Sequence, residues 1–126
     1  MSKEAYRAVF EKATATFGTY SQSAQEKLGA IMANAEQGMM RTLGDGFFDQ
    51  ADKNGDGLLC AAEYVEYCRL WEAWMCEKAG ETIPASPEAD LHAAWEASKI
   101  SGKEGVTKED LHTVGDWEAE WMKEAM

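Results

Sequence analysis

The chain has 126 residues, 45% apolar and 10% aromatic, with two prolines. That is room for one domain around a contiguous core and excludes a disordered or low-complexity chain. Acidic residues number 23 against 12 basic ones, a net charge of −11. Such a balance excludes a free-standing nucleic-acid binder or a basic lipid-binding patch and makes cations the natural ligand.

No apolar run approaches the roughly 18 to 20 residues that a membrane span needs, so no membrane span is expected. The opening Met1-Ser2-Lys3-Glu4 lacks a signal-peptide stretch, and Ser2 stands where N-myristoylation needs glycine. A cytoplasmic protein is the expectation. Cys60, Cys68 and Cys76 recur in eight-residue steps, which suits neither a disulfide framework nor a CxxC site. They read as free thiols in a reducing compartment.

Residues 1–40 hold four bases and four acids, so all the net negative charge lies in residues 41–126. The leader is periodic. Tyr6, Val9, Phe10, Ala13 and Phe17 form one helical stripe, with Gly18 as a stop. Ser23 to Glu26 fits a capping box, followed by Leu28, Ile31, Met32, Ala35 and Met39 at the same spacing. Residues 1–40 are therefore expected to form an amphipathic helical hairpin packed on the core. Gly38, Gly44 and Gly46 predict a kink or break before the next helix, with Thr42 as a possible cap.

Residues 52–63 carry the chemistry. Oxygen side chains fall at the first, third and fifth positions (Asp52, Asn54, Asp56), Gly57 is sixth and Glu63 twelfth. A hard divalent cation of calcium's size takes six to eight oxygens at about 2.3–2.6 Å, and alternate residues of a tight loop can aim theirs at one centre. Gly57 permits the positive φ that redirects the chain. Phe48 precedes the loop by four residues, and Tyr64, Cys68, Trp71 and Met75 form an apolar stripe after it, up to a stop at Gly80.

This segment closely resembles the calcium loop of the EF-hand family. The resemblance implies an all-α fold and calcium ligands at Asp52, Asn54, Asp56, the Leu58 carbonyl and Glu63, with magnesium able to compete. Cys60, in the ninth position, brings no hard oxygen. Leu59, in the eighth, is expected to pair with a sister loop in a short two-strand contact. Residues 99–110 are the sister: Trp95 matches Phe48, Val106 is eighth, Asp110 twelfth and Leu111 follows it. Ser86-Pro87 marks the start of the helix before it. Lys99, Ser101 and Lys103 replace the ligands and Glu104 replaces the glycine, so this loop should bind no metal and either lysine could place its ammonium near the site.

The expected organisation is thus a leader hairpin (1–40) and an EF-hand pair (41–126). All five tryptophans fall on its predicted helices, where core packing is their first explanation and, with Met32, Met39, Met40, Met75 and Met122, a target groove is the second. His92 and His112 lack metal-type spacing and are expected to face solvent. A calcium sensor that exposes apolar surface to a protein partner, through that groove or the leader helices, is the first functional expectation. A calcium buffer or signal modulator, and a structural interaction protein merely stabilised by calcium, are the alternatives. No nucleophile–base set or phosphate-cradling loop suggests an enzyme.

Overall fold

A computed structural model describes residues 2–34 and 37–125. Ala35 and the side chains of Met32 and Met122 lie outside the described residues. Among the described residues six helices follow one another: α1 (Ser2–Phe17), α2 (Gln22–Asn34), α3 (Gln37–Ala51), α4 (Ala61–Ala79), α5 (Glu88–Ser98) and α6 (Lys108–Ala125). Among the described residues there is no strand, and one isolated antiparallel bridge joins Leu59 to Val106. The fold is all-α.

The bridge sits at the centre of the core. Leu59 N donates to Val106 O at 2.9 Å and Val106 N donates to Leu59 O at 3.0 Å. Both side chains are fully buried, with Phe48, Ala51, Tyr64, Tyr67 and Ala94 around them. A second cluster, Ala24, Leu28, Ala79 and Ile83, lies where α2 meets the end of α4. Gly80 closes α4 in the left-handed region at φ 73°, with its N–H donating to Cys76 O at 2.9 Å. That is the stop its sequence position suggests.

Both leader helices form, but α2 ends at Asn34, so Met39 lies on α3 rather than on the second leader helix, and the main partners of α1 and α2 differ. α1 packs on α5 and α6, and α2 packs on α4. Aromatic residues explain the separation. Tyr6 and Phe10 of α1 meet Trp121 of α6 at 6.3 and 5.2 Å between centroids, whereas Phe17 turns to Tyr20 and the second cluster. The cap of α2 is Ser21 rather than Ser23: Ala24 N donates to Ser21 Oγ at 3.0 Å, and that hydroxyl donates to Glu81 Oε1 at 2.6 Å. α5 likewise begins at Glu88, one residue beyond the expected start at Pro87.

The expected break before the loop is absent. α3 runs unbroken through Thr42, Gly44 and Gly46. At Gly44 a Cβ would lie 3.3 Å from Cζ2 of Trp71, so this glycine lets α4 approach closely. Packing on α4 outweighs the propensity cost.

Three polar contacts tie α3 to α6 in steps of four residues. Arg41 meets Asp116 at 3.2 Å, Asp45 meets His112 at 2.7 Å and Asp49 meets Lys108 at 2.8 Å. His112 is therefore half-buried against α3 rather than facing solvent. Exposed and half-exposed pairs of this kind add little to stability, so their value is in fixing the register of the two helices.

The bridge leaves no room for a side chain beside it. A Cβ on Gly105 would lie 2.6 Å from Leu59 O, whereas at Gly29 of α2 it would meet nothing within 4 Å. Gly105→Ala should destabilise the protein by about 1–3 kcal/mol through forced displacement of the bridge, and Gly29→Ala should stabilise it by up to about 1 kcal/mol. Urea denaturation of the two variants checks both signs.

Candidate metal centre

The loop between α3 and α4 is held by its own polar groups. Gly57 N donates to Asp52 Oδ2 at 2.9 Å, Leu58 N to Asp56 Oδ1 at 2.9 Å and Asp56 N to Asn54 Oδ1 at 3.3 Å. These local side-chain-to-backbone bonds fold the chain into successive turns. Gly55 and Gly57 take positive φ values of 68° and 78°. The turn expected at Gly57 is present, and Gly55 adds a second that the sequence reading did not single out.

Glu63 reaches back from the first turn of α4. Its Oε1 accepts from Cys60 N at 3.1 Å and its Oε2 from Lys53 N at 3.3 Å. One carboxylate thus spans both ends of the loop. Asn54 Nδ2 also donates to Asp56 Oδ2 at 3.3 Å. Among the described residues, no three His, Cys, Asp or Glu side chains converge into a metal-binding group. The loop carboxylates accept instead from backbone amides and from the side-chain amide of Asn54.

One oxygen is the exception. Asp52 Oδ1 is buried and has no hydrogen-bond partner among the described residues. An unpartnered buried carboxylate oxygen carries a desolvation cost of about 1–3 kcal/mol or more, which a cation would remove. Chemically the donor set fits a hard divalent ion: carboxylates at Asp52, Asp56 and Glu63, an amide oxygen at Asn54 and a carbonyl at Leu58. An open groove of about 530 Å³ beside the loop is lined by Phe48, Asp49, Asp52, Gly57, Lys103 and Lys108, among others.

Residues 99–110 close on themselves differently. Asp110, 4% exposed, accepts from Ser101 N at 3.1 Å, Ser101 Oγ at 3.1 Å and Thr107 N at 3.0 Å. Thr107 Oγ1 accepts from Asp110 N at 3.0 Å, so the pair caps α6 reciprocally. Lys99 Nζ lies 4.0 Å from the Trp95 ring centroid and 3.2 Å from Glu96 Oε2. Lys103 is exposed and lines the groove beside Asp52. A serine–aspartate bond, with no lysine in it, holds the two ends of this loop.

The two loops meet through the Leu59–Val106 bridge, and one of its two carbonyls takes a further donor. Leu59 O accepts from Val106 N and also from Trp95 Nε1, the latter at 2.9 Å. The indole bond was not expected from spacing alone, which places Trp95 only as a counterpart of Phe48. Cys60, Cys68 and Cys76 are free thiols. Cys68, beneath α1, is pushed up to about 12 by burial and is inert as a thiol near neutral pH.

No family model, no curated protein and no solved structure matches this chain.

Asp110 should therefore matter for folding rather than for metal. Asp110→Asn is expected to cost about 1–3 kcal/mol in metal-free unfolding, with calcium stoichiometry unchanged from the parent protein. Chemical denaturation in chelator and a titration of the same variant read the two quantities separately.

Proposed function

We propose that residues 52–63 bind one calcium ion as an EF-hand loop. Asp52, Asn54 and Asp56 supply side-chain oxygens, Leu58 its carbonyl, and Glu63 closes the shell with both carboxylate oxygens. The observation that carries this reading is the unpartnered buried oxygen of Asp52, in a loop whose remaining acceptors alternate along the chain. Binding exchanges the amide bonds of Glu63 for metal ligation and pulls the first turn of α4 toward the loop. Residues 99–110 are the metal-free partner of an EF-hand pair, and the reciprocal Leu59–Val106 bridge supports their pairing. Three carboxylates with one amide suit a dissociation constant of about 10⁻⁷ to 10⁻⁵ M, and magnesium competes for the same oxygens.

The use of that binding is as a calcium sensor. Tyr64 follows Glu63 directly and belongs to the core cluster against which Tyr6 and Val9 of α1 pack. Movement at Glu63 therefore reaches the aromatic surface that α1 covers, and loosening α1 exposes it to a protein partner. A second reading is favoured by α1 itself. Because the apolar face already has an occupant, calcium can act by stabilising the closed fold, as in a buffer or structural protein.

Calorimetric titration should give one calcium per chain, and Glu63→Gln should weaken binding by about tenfold or more through loss of a ligand charge. Two sites, or unaltered affinity in the variant, contradicts the assignment. An environment-sensitive apolar dye added with calcium separates the two uses: strong calcium-dependent binding supports the sensor, and none supports the closed reading.

A further inference from the structure

The seat of α1 on α6 contains an acid that the metal chemistry does not use. Tyr6 lies between two tryptophans, with its ring centroid 6.4 Å from Trp117 and 6.3 Å from Trp121. Its hydroxyl donates to Glu118 Oε1 at 3.2 Å. Glu118 is thus a part-buried carboxyl under the docked helix, bonded to the group that anchors that helix. We infer that α1 is a proton-sensitive latch, held on α6 when Glu118 is protonated and loosened when Glu118 ionises.

Among the described residues, the other groups that face this seat are tyrosines, a thiol and ion-paired side chains on its rim. From α4 come Tyr64, Tyr67 and Cys68, all raised by burial and neutral near pH 7; Tyr6 of α1 is raised in the same way. The bases of α1 sit on the rim. Lys3 meets Glu120 at 3.9 Å, Arg7 meets Glu11 at 3.3 Å and stacks over Trp121, and Lys12 meets Asp90 of α5 at 2.7 Å. On the α3 side, α6 faces Arg41 through Asp116 and Asp45 through His112.

Burial pushes the Glu118 carboxyl from its ordinary 4.5 up to about 7, against a smaller lowering by the Tyr6 hydroxyl. An acid raised on docking binds its proton more tightly in the docked state. Its stabilisation of that state is complete below 4.5 and is lost as pH rises through about 7. Undocking α1 admits water to the carboxylate, so ionisation favours the open form. The inference needs no metal and does not rest on the calcium assignment.

Amide hydrogen exchange of the full chain in chelator, corrected for intrinsic rates, tests it. Between about pH 5.5 and pH 8.5 the protection of α1 should fall about tenfold or more and level off above Glu118's own titration. The protection of α4 should change much less. Glu118→Gln should abolish the fall, and Tyr6→Phe should move the levelling-off to higher pH by removing the bond that favours the ionised form. Constant α1 protection in the parent protein overturns the inference. So does an undiminished fall in Glu118→Gln, which would assign it to another group. Should that variant not fold, the carbon-13 signal of the Glu118 carboxyl in the parent decides: a midpoint near 7 supports the latch and one below about 5 overturns it.

Discussion

The carbonyl of Leu59 is the constraint on which the rest of the structure depends. It is buried among apolar side chains, where an unsatisfied acceptor would cost about 1–3 kcal/mol, and it receives two donors: the Val106 amide and the Trp95 indole. Those bonds set the two loops back to back at one register. Gly105 has no Cβ to obstruct them. With Leu59 fixed, Asp52 and Glu63 are placed from opposite sides of it, by the end of α3 and the start of α4. The unpartnered oxygen of Asp52 and the back-reaching carboxylate of Glu63 are consequences of that placement.

Charge has separate tasks in this acidic protein. In residues 52–63 carboxylates organise the backbone, and a cation would relieve the acceptor they leave unpartnered. In residues 99–110 one carboxylate, Asp110, does the organising alone, and the lysines at Lys99 and Lys103 turn to an indole, a neighbouring acid and the adjoining groove. Between α3 and α6 three pairs fix a register. On the outer face of α6, α1 brings Lys3, Arg7 and Lys12, and two of these bases reach acids of α5 and α6. The neutral leader and the acidic body are thus complementary surfaces of one fold, joined across the aromatic seat of Tyr6, Phe10, Trp117 and Trp121.

Much of this was legible as local pattern. Twelve residues with alternating oxygens identified the candidate loop, and Leu59 and Val106 meet in one isolated bridge rather than in a pair of strands. Helical stripes located α1, α2 and α4. What stayed hidden depends on distant partners. Gly44 reads as a helix breaker until Trp71 is seen against it. His112 reads as exposed until Asp45 is opposite, although the four-residue spacing of Arg41, Asp45 and Asp49 against Lys108, His112 and Asp116 was a usable signal. The leader's two stripes pointed to packing on the core without saying where, because amphipathicity shows that a face is buried and not what buries it. Glu118 was one acid among 23, and only the position of Tyr6 distinguishes it.

The central claim is that residues 52–63 hold a hard divalent cation while residues 99–110 do not. Nuclear magnetic resonance of the nitrogen-15-labelled chain during addition of calcium tests it residue by residue. The amides of Gly57, Leu58 and Cys60, each now bonded to a loop carboxylate, should shift together and saturate at one equivalent. The amides of Ser101 and Thr107 should keep their bonds to Asp110 and shift little. Unchanged positions of the first set at millimolar calcium would contradict the account.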